Sequence, residues 1–152
     1  MGWFSRCKNG IDLVDRARHF PAPGGSSKRR FLTDAVASSI MKVVFHLSAG
    51  GEGRRRMVVN NMTNLLEDET VEIEELALVT NSAGIDLLTA SGRFSAQIDA
   101  LAEQGAQFKV CGNSLWQSEY DESELHPESE VVSSGVGELG RLQERGYEYI
   151  KP

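Results

Sequence analysis

A three-layer α/β/α sandwich around a mostly parallel, five-stranded sheet is the fold that this sequence predicts from Lys42 onward. Three observations carry the prediction. Short β-rich runs alternate with single helical patterns, the interior strands are continuously apolar as strands covered on both faces must be, and 152 residues are enough for one domain with one hydrophobic core.

The elements follow in order. Lys42-Val43-Val44-Phe45-His46-Leu47 reads as a buried strand. Residues Ser48 to Gly53 make a glycine-rich turn, after which Val58, Met62, Leu65 and Leu66 fall at i, i+4, i+7 and i+8 and give a helix with one apolar face. The second strand runs from about Val71 to Thr80. Its first half alternates apolar with Glu72 and Glu74, while Leu76-Ala77-Leu78-Val79 is continuous, so burial should deepen along it. Phe94, Ile98 and Leu101 keep helical spacing, and Gly105 is placed to end that helix.

Gln107 to Cys111 forms the third strand, Ser114 to Ser118 a short helix, and Tyr120 to Pro127 an acidic loop read as mobile and solvated. The fourth strand covers about Glu130 to Ser133, the fourth helix about Gly137 to Arg145, and Tyr147-Glu148-Tyr149-Ile150 closes the sheet. Single helices between successive strands require crossovers, and crossovers imply parallel pairing.

Charge divides the chain at Met41. Residues 1–40 hold seven Lys or Arg against three Asp, a net +4, which leaves −10 for the remainder of a chain whose total is −6. An acidic body lacks the basic footprint that nucleic acid or an anionic membrane surface requires. No apolar run approaches the roughly 18 residues of a membrane span. Cys7 and Cys111, the two cysteines, are too few for a disulfide framework and lack metal-ligand spacing, which points to a reducing, cytoplasmic setting with no metal and no cofactor.

The first 40 residues show no sustained period beyond a weak helix around Ile11 to Arg18. Phe20-Pro21-Ala22-Pro23-Gly24-Gly25-Ser26-Ser27 has the composition of a linker, so a disordered basic leader is expected. Ser27-Lys28-Arg29-Arg30-Phe31-Leu32-Thr33 comes close to a twin-arginine export signal, but the apolar segment after it is short and broken by Asp34. Met41 is the candidate true start, with the leader a gene-model extension and residues 41–152 the domain.

Val44-Phe45-His46-Leu47, the junction Cys111-Gly112-Asn113-Ser114-Leu115 and above all the tail VVSSGVGELGRLQERGYEYIKP resemble the DsrE/DsrF-like family of small sulfur-metabolism proteins. The resemblance covers Met41 to Pro152. It implies a flavodoxin-like parallel sheet, assembly into homo-oligomers (trimers or hexamers), and a cysteine that carries sulfur as a persulfide between donor and acceptor proteins. That cysteine would be Cys111. Some subunits of such assemblies are structural, so a non-catalytic binding or assembly module of the same fold is the alternative.

Physical reasoning reaches Cys111 separately. Ligands of open parallel sheets gather beyond the carboxyl ends of the strands, where Cys111 stands, and the first amides of the next helix would favour its thiolate. The bland alternative is a buried, inert thiol, since free cysteine is among the most buried residue types. His46 should open on the same sheet edge, either as a base or ion-pair partner or as a histidine hydrogen-bonded inside the fold. Asn81, Asn113, Ser133 and Ser134 are candidate pocket lining, and each is equally a turn or cap residue. Arg54, Arg55 and Arg56 are placed unfavourably for a helix dipole, so they either meet an anion near Cys111, pair across a subunit interface, or form a solvated face.

Two further patterns carry less. Gly135-Val136-Gly137-Glu138-Leu139-Gly140 matches G-x-G-x-x-G literally, but the chain ends too soon for the acidic residue that a dinucleotide site needs about 20 positions later. A tight strand-to-helix turn with close packing is the better reading. Asp121, Glu122, Glu124, His126 and Glu128 have no metal-loop spacing.

Overall fold

The computed structural model describes residues 39–152. The expectations for Cys7, the leader helix and the export-like motif lie outside the described residues.

Five strands, β1 (Ser39–Leu47), β2 (Val71–Thr80), β3 (Gln107–Cys111), β4 (Ser129–Val132) and β5 (Tyr147–Ile150), form one sheet in the order β4-β3-β2-β1-β5. Every pairing is parallel. The helices are α1 (Glu52–Glu67), α2 (Ser95–Glu103), α3 (Gly112–Trp116) and α4 (Gly135–Glu144), with short 3₁₀ segments at Ser82–Leu88 and Glu122–Glu124. The sheet is therefore wholly parallel, and the layering is the predicted flavodoxin-like sandwich. β1 begins at Ser39 rather than Lys42, and α3 and α4 each start two residues earlier than the periodicity suggested.

Strand order dictates which face each helix covers. From β1 to β4 the chain advances steadily in one direction across the sheet, so right-handed crossovers put α1, Ser82–Leu88, α2 and α3 on one face. The last crossover runs back past β1 to β5 and puts α4 on the other. Packing agrees with this. Val43, Phe45, Leu47, Leu76, Leu78, Phe108 and Val110 point into a large core with Val58, Met62, Ile85, Ile98 and Leu101. On the opposite face Val44, Ala77 and Val79 meet Leu139 and Leu142 of α4, with Tyr147.

A register shift reconciles the two halves of β2. Met41 pairs with Ile73 but Lys42 pairs with Glu75, so Glu74 is the extra residue of a bulge. Ile73 and Leu76 differ in parity, and without the bulge they would face opposite sides; with it both serve the larger core. Burial then deepens from Leu76 onward as expected.

The acidic loop differs from expectation. Leu125 and His126 within it are buried rather than solvated: Thr89 bridges Leu125, the Ala90 amide donates to the Glu124 carbonyl and the His126 amide to that of Leu88. Apolar Leu125 and the ring of His126 supply burial that a count of carboxylates hides. A capping box between Asp121 and Glu124 nucleates the intervening 3₁₀ turn.

The α4 face holds charge as well as apolar area. Glu75 accepts from Lys42 Nζ at 2.6 Å, from the Tyr147 hydroxyl and from Arg145 at 3.2 Å. Lys42 first and Tyr147 next hold the Glu75 carboxyl down at about 2, against a smaller opposing effect of burial. Burial and the Glu75 carboxylate push Tyr147 up to about 12. Because the Glu75 value is depressed, its contribution is present above the unfolded carboxylate range near 4.5 and disappears as pH falls towards 2. Glu75→Gln is expected to lower the thermal midpoint near neutral pH, and the gap between variant and parent should close as melts are repeated from pH 5 down to pH 2. A gap that stays constant over that range would show that the carboxylate charge is not what Glu75 contributes.

Candidate functional site

The connections after β1, β2 and β3 turn to one face of the sheet and the connection after β4 turns to the other, so a crevice opens at the carboxyl ends of β3 and β4. Cys111 is the last residue of β3, paired with Val132, the last of β4. It occupies the cap position of α3, while Ser133 and Ser134 lead from β4 into α4.

Gly135 closes the crevice on Cys111. A β-carbon on Gly135 would lie 3.0 Å from Cβ of Cys111, a tight contact that the neighbour must relieve by a few tenths of an ångström, and 3.5 Å from its Sγ. Cys111 is buried, at 6% exposed. Burial is the largest single influence and pushes the Cys111 pKa up, while the Gly135 amide, the Ser114 hydroxyl and the amides of Ser114 and Asn113 pull it down and leave the thiol below its ordinary value. These donors come from both sides of the crevice. α3 has only five residues, so it acts through individual N–H groups rather than a long dipole.

Ser82, just beyond β2, has φ 48° in the left-handed region, and its amide donates to Ser114 Oγ at 2.8 Å. Neither Ser114 nor Gly135 was singled out from sequence as a neighbour of the sulfur. For Ser114 the available signal was its place three residues after a cysteine at a strand end. For Gly135 it was the glycine opening the last helix.

His46 is buried at the end of β1, with β2 between it and the cysteine strand. Both ring nitrogens are occupied: Nδ1 lies 2.6 Å from the Tyr149 hydroxyl and Nε2 3.0 Å from Asn81 Oδ1. An amide oxygen only accepts, so Nε2 carries the hydrogen here and Tyr149 donates to Nδ1. Asn81 links the two regions. Its amide donates to the Leu47 carbonyl, and its Cβ lies 3.5 Å from where a Gly135 β-carbon would be.

The remaining candidates separate. Asn113 is exposed but lends its amide to Cys111. Ser133 is exposed, and Ser134 caps α4 by accepting from the Gly137 amide at 3.3 Å. Arg54 donates to the Pro152 carbonyl, Arg55 pairs with Asp86 at 3.5 Å, and Arg56 pairs with Glu52 one helical turn earlier. Of the G-x-G-x-x-G glycines, Gly135 alone packs tightly; Gly140 faces open space, and Glu138 binds Arg141 inside the turn. An open cleft of about 490 Å³ lies beside Ser114, lined also by Ser82, Asp86, Gln117, Glu119 and Tyr120. Among the described residues no cluster of three or more His, Cys, Asp or Glu side chains is placed to hold a metal. No helix among them is long and apolar enough to cross a membrane.

Residues 40–152 match the DsrE/DsrF-like family. The chain is also similar to a solved structure, that of MTH1491, a protein of unknown function from Methanobacterium thermoautotrophicum, at 35% identity and a TM-score of 0.66, over 74% of this chain and 99% of that one. Among curated proteins no sequence matches.

The contact between Gly135 and Cys111 makes two glycines behave differently. In a Cys7→Ser background, Gly135→Ala is expected to slow alkylation of Cys111 at neutral pH several-fold and to cost about 1–3 kcal/mol of stability, as overpacked sites do. Gly140→Ala should leave the alkylation rate unchanged and stabilise α4 by about 0.4–1 kcal/mol. Equal alkylation rates for Gly135→Ala and the parent would remove Gly135 from the account of thiol activation.

Proposed function

The chain belongs to the DsrE/DsrF-like family, and from that premise we propose that it is a sulfur carrier that relays sulfane sulfur as a persulfide on Cys111. The observation that carries this reading is the place of Cys111 at the carboxyl end of β3, in the crevice where the crossovers change face and against the Gly135 turn of α4. A thiolate held this way attacks the outer sulfur of a persulfide donor: Cys111–S⁻ and R–S–SH give Cys111–S–SH and R–S⁻. Delivery is the reverse exchange with an acceptor thiolate. No net oxidation occurs in either step.

In this reading His46 is not the base that activates the thiol, because its ring is committed to Tyr149 and Asn81. It positions Asn81, which in turn packs against the Gly135 turn. The arginines serve α1 and its neighbours rather than an anion at the sulfur. Trp116 and Val136, on the helices leaving either side of the crevice, are 86% and 69% exposed, which supports contact with another chain there. We read the protein as a cytoplasmic homo-oligomer, trimeric or hexameric, that meets donor and acceptor proteins at this edge. A non-catalytic assembly module is the second reading, favoured by the burial of Cys111.

Reduced protein carrying Cys7→Ser, incubated with a low-molecular-weight persulfide and weighed intact, is expected to gain one sulfur atom. The gain should vanish in Cys111→Ser and reverse on adding an acceptor thiol. No adduct with several donors, on folded protein, would favour the assembly module.

A further inference from the structure

Resting on the reading above, in which partner proteins meet this edge of the sheet, we propose that the free side of β4 and the groove beside α3 form a docking site for an extended, lysine- or arginine-bearing segment of a partner protein. β4 is an edge strand with β3 as its one neighbour. Main-chain groups of a strand point to both sides, so the outer side of β4 offers N–H and C=O groups that no second strand takes up. Ser129–Val132 is only 4 residues long and can give a visiting strand few hydrogen bonds. Side chains must therefore supply most of the hold.

An open groove of about 350 Å³ lies beside this edge. Its apolar lining comes from Leu115 and Trp116 of α3, from Tyr120, and from Val131 of β4. Val131 pairs with Val110 and faces the same side of the sheet, where it packs only partly buried against the larger core. Trp116 is 86% exposed. An indole left in water at the lip of a groove is the kind of anchor on which the binding energy of a protein contact concentrates.

Charge selects the occupant. From Gln117 to Glu130 the sequence holds six carboxylates and no Lys or Arg. Glu119, Asp121 and Glu122 line the groove and are exposed, and none of the three forms an ion pair among the described residues. Asp121 is occupied in capping its own 3₁₀ turn, which leaves Glu119 and Glu122 for the cations of a partner. A basic segment gains from these charges and an acidic one is repelled. A second copy of this chain fits poorly, because two β4 edges meeting about a two-fold axis would set like charges against each other. Gly112, the residue after Cys111, is also in the lining, so a segment docked here lies beside the carboxyl end of β3.

Fluorescence anisotropy on the full chain at low salt, with a labelled nonapeptide alternating lysine and valine, reads the docking directly. Three control peptides separate its parts: glutamate replacing lysine, serine replacing valine, and the parent peptide with its main chain N-methylated. The lysine–valine peptide is expected to bind at least about fivefold more tightly than each control. Trp116→Ala should weaken it about fivefold or more, and Glu119→Lys combined with Glu122→Lys about tenfold or more, the second loss shrinking as salt is raised. All three side chains are exposed, so these variants keep the core, with circular dichroism as the check. Met57→Ala, an exposed apolar residue of α1, should bind as the parent does. A parent that prefers no peptide, a control that binds as well as the lysine–valine peptide, or a groove variant that binds like the parent overturns the proposal. If the groove variants change the sedimentation of the chain alone and the parent takes no peptide, the groove is a contact between copies and the proposal falls. Sulfur uptake from a small persulfide needs no peptide. A parent that loads sulfur without preferring the basic peptide therefore loses the docking site alone, and one that docks the peptide but takes up no sulfur loses the carrier reading alone.

Discussion

Gly135 approaches Cys111 so closely that a β-carbon there would lie 3.0 Å from Cβ of the cysteine, and that approach exists because the chain changes its winding direction after β4. Three successive crossovers lie on one face, and the fourth must return across the opposite face to reach the far side of β1. The amino-terminal turns of α3 and α4 therefore diverge from adjacent strand ends, with Cys111 between them. A β-carbon at position 135 would press on Cβ of Cys111 and require one of the two turns to give by a few tenths of an ångström. Strand order, glycine placement and the state of the thiol are consequences of one geometric constraint.

The charged groups are arranged so that few of them bear on that thiol. Lys42, Arg145 and Tyr147 gather on Glu75, Lys109 pairs with Glu130, and Arg141 with Glu138, all along the face that α4 covers alone. One helix cannot bury five strands, and the ion pairs occupy the part of the face that apolar packing leaves. The groups that lower the Cys111 thiol are instead amides and a hydroxyl. Such donors do not titrate near neutral pH, so the thiolate population depends on the proton of Cys111 itself rather than on a neighbour's charge.

Alternation of strands and helices in the sequence was sufficient for the layers, the parallel pairing and the position of Cys111 at a strand end, because each depends on local periodicity. What escaped detection depends on pairs distant in sequence. The bulge at Glu74 appears only in the register between β1 and β2. His46 finds Tyr149 across 103 residues, and Ser82 finds Ser114 across 32. Ile85, Leu87 and Leu88 are buried in a 3₁₀ segment too short to display a helical period. The arginine run looked anomalous at a helix start, but its partners Glu52, Asp86 and Pro152 are contributed by three different parts of the chain. The burial of His126 likewise depends on Leu88 and Thr89, which an inspection of the acidic loop alone does not reveal.

A site with a single thiol is suited to exchange rather than to net oxidation. Cys111 is the only cysteine in residues 39–152, so no disulfide can resolve within the described domain. In sulfane exchange the thiolate is consumed on loading and regenerated on delivery, and the charge on the Cys111 sulfur returns to its starting value after each cycle. One fixed set of donors can therefore serve both directions without rearrangement. A dithiol oxidoreductase would need a second thiol within reach of the first and donors able to accommodate both. Gly135 packs against Cβ on one side and α3 begins on the other, and neither supplies a second thiol. The geometry of the crevice suits a carrier that receives and returns one sulfur at a time.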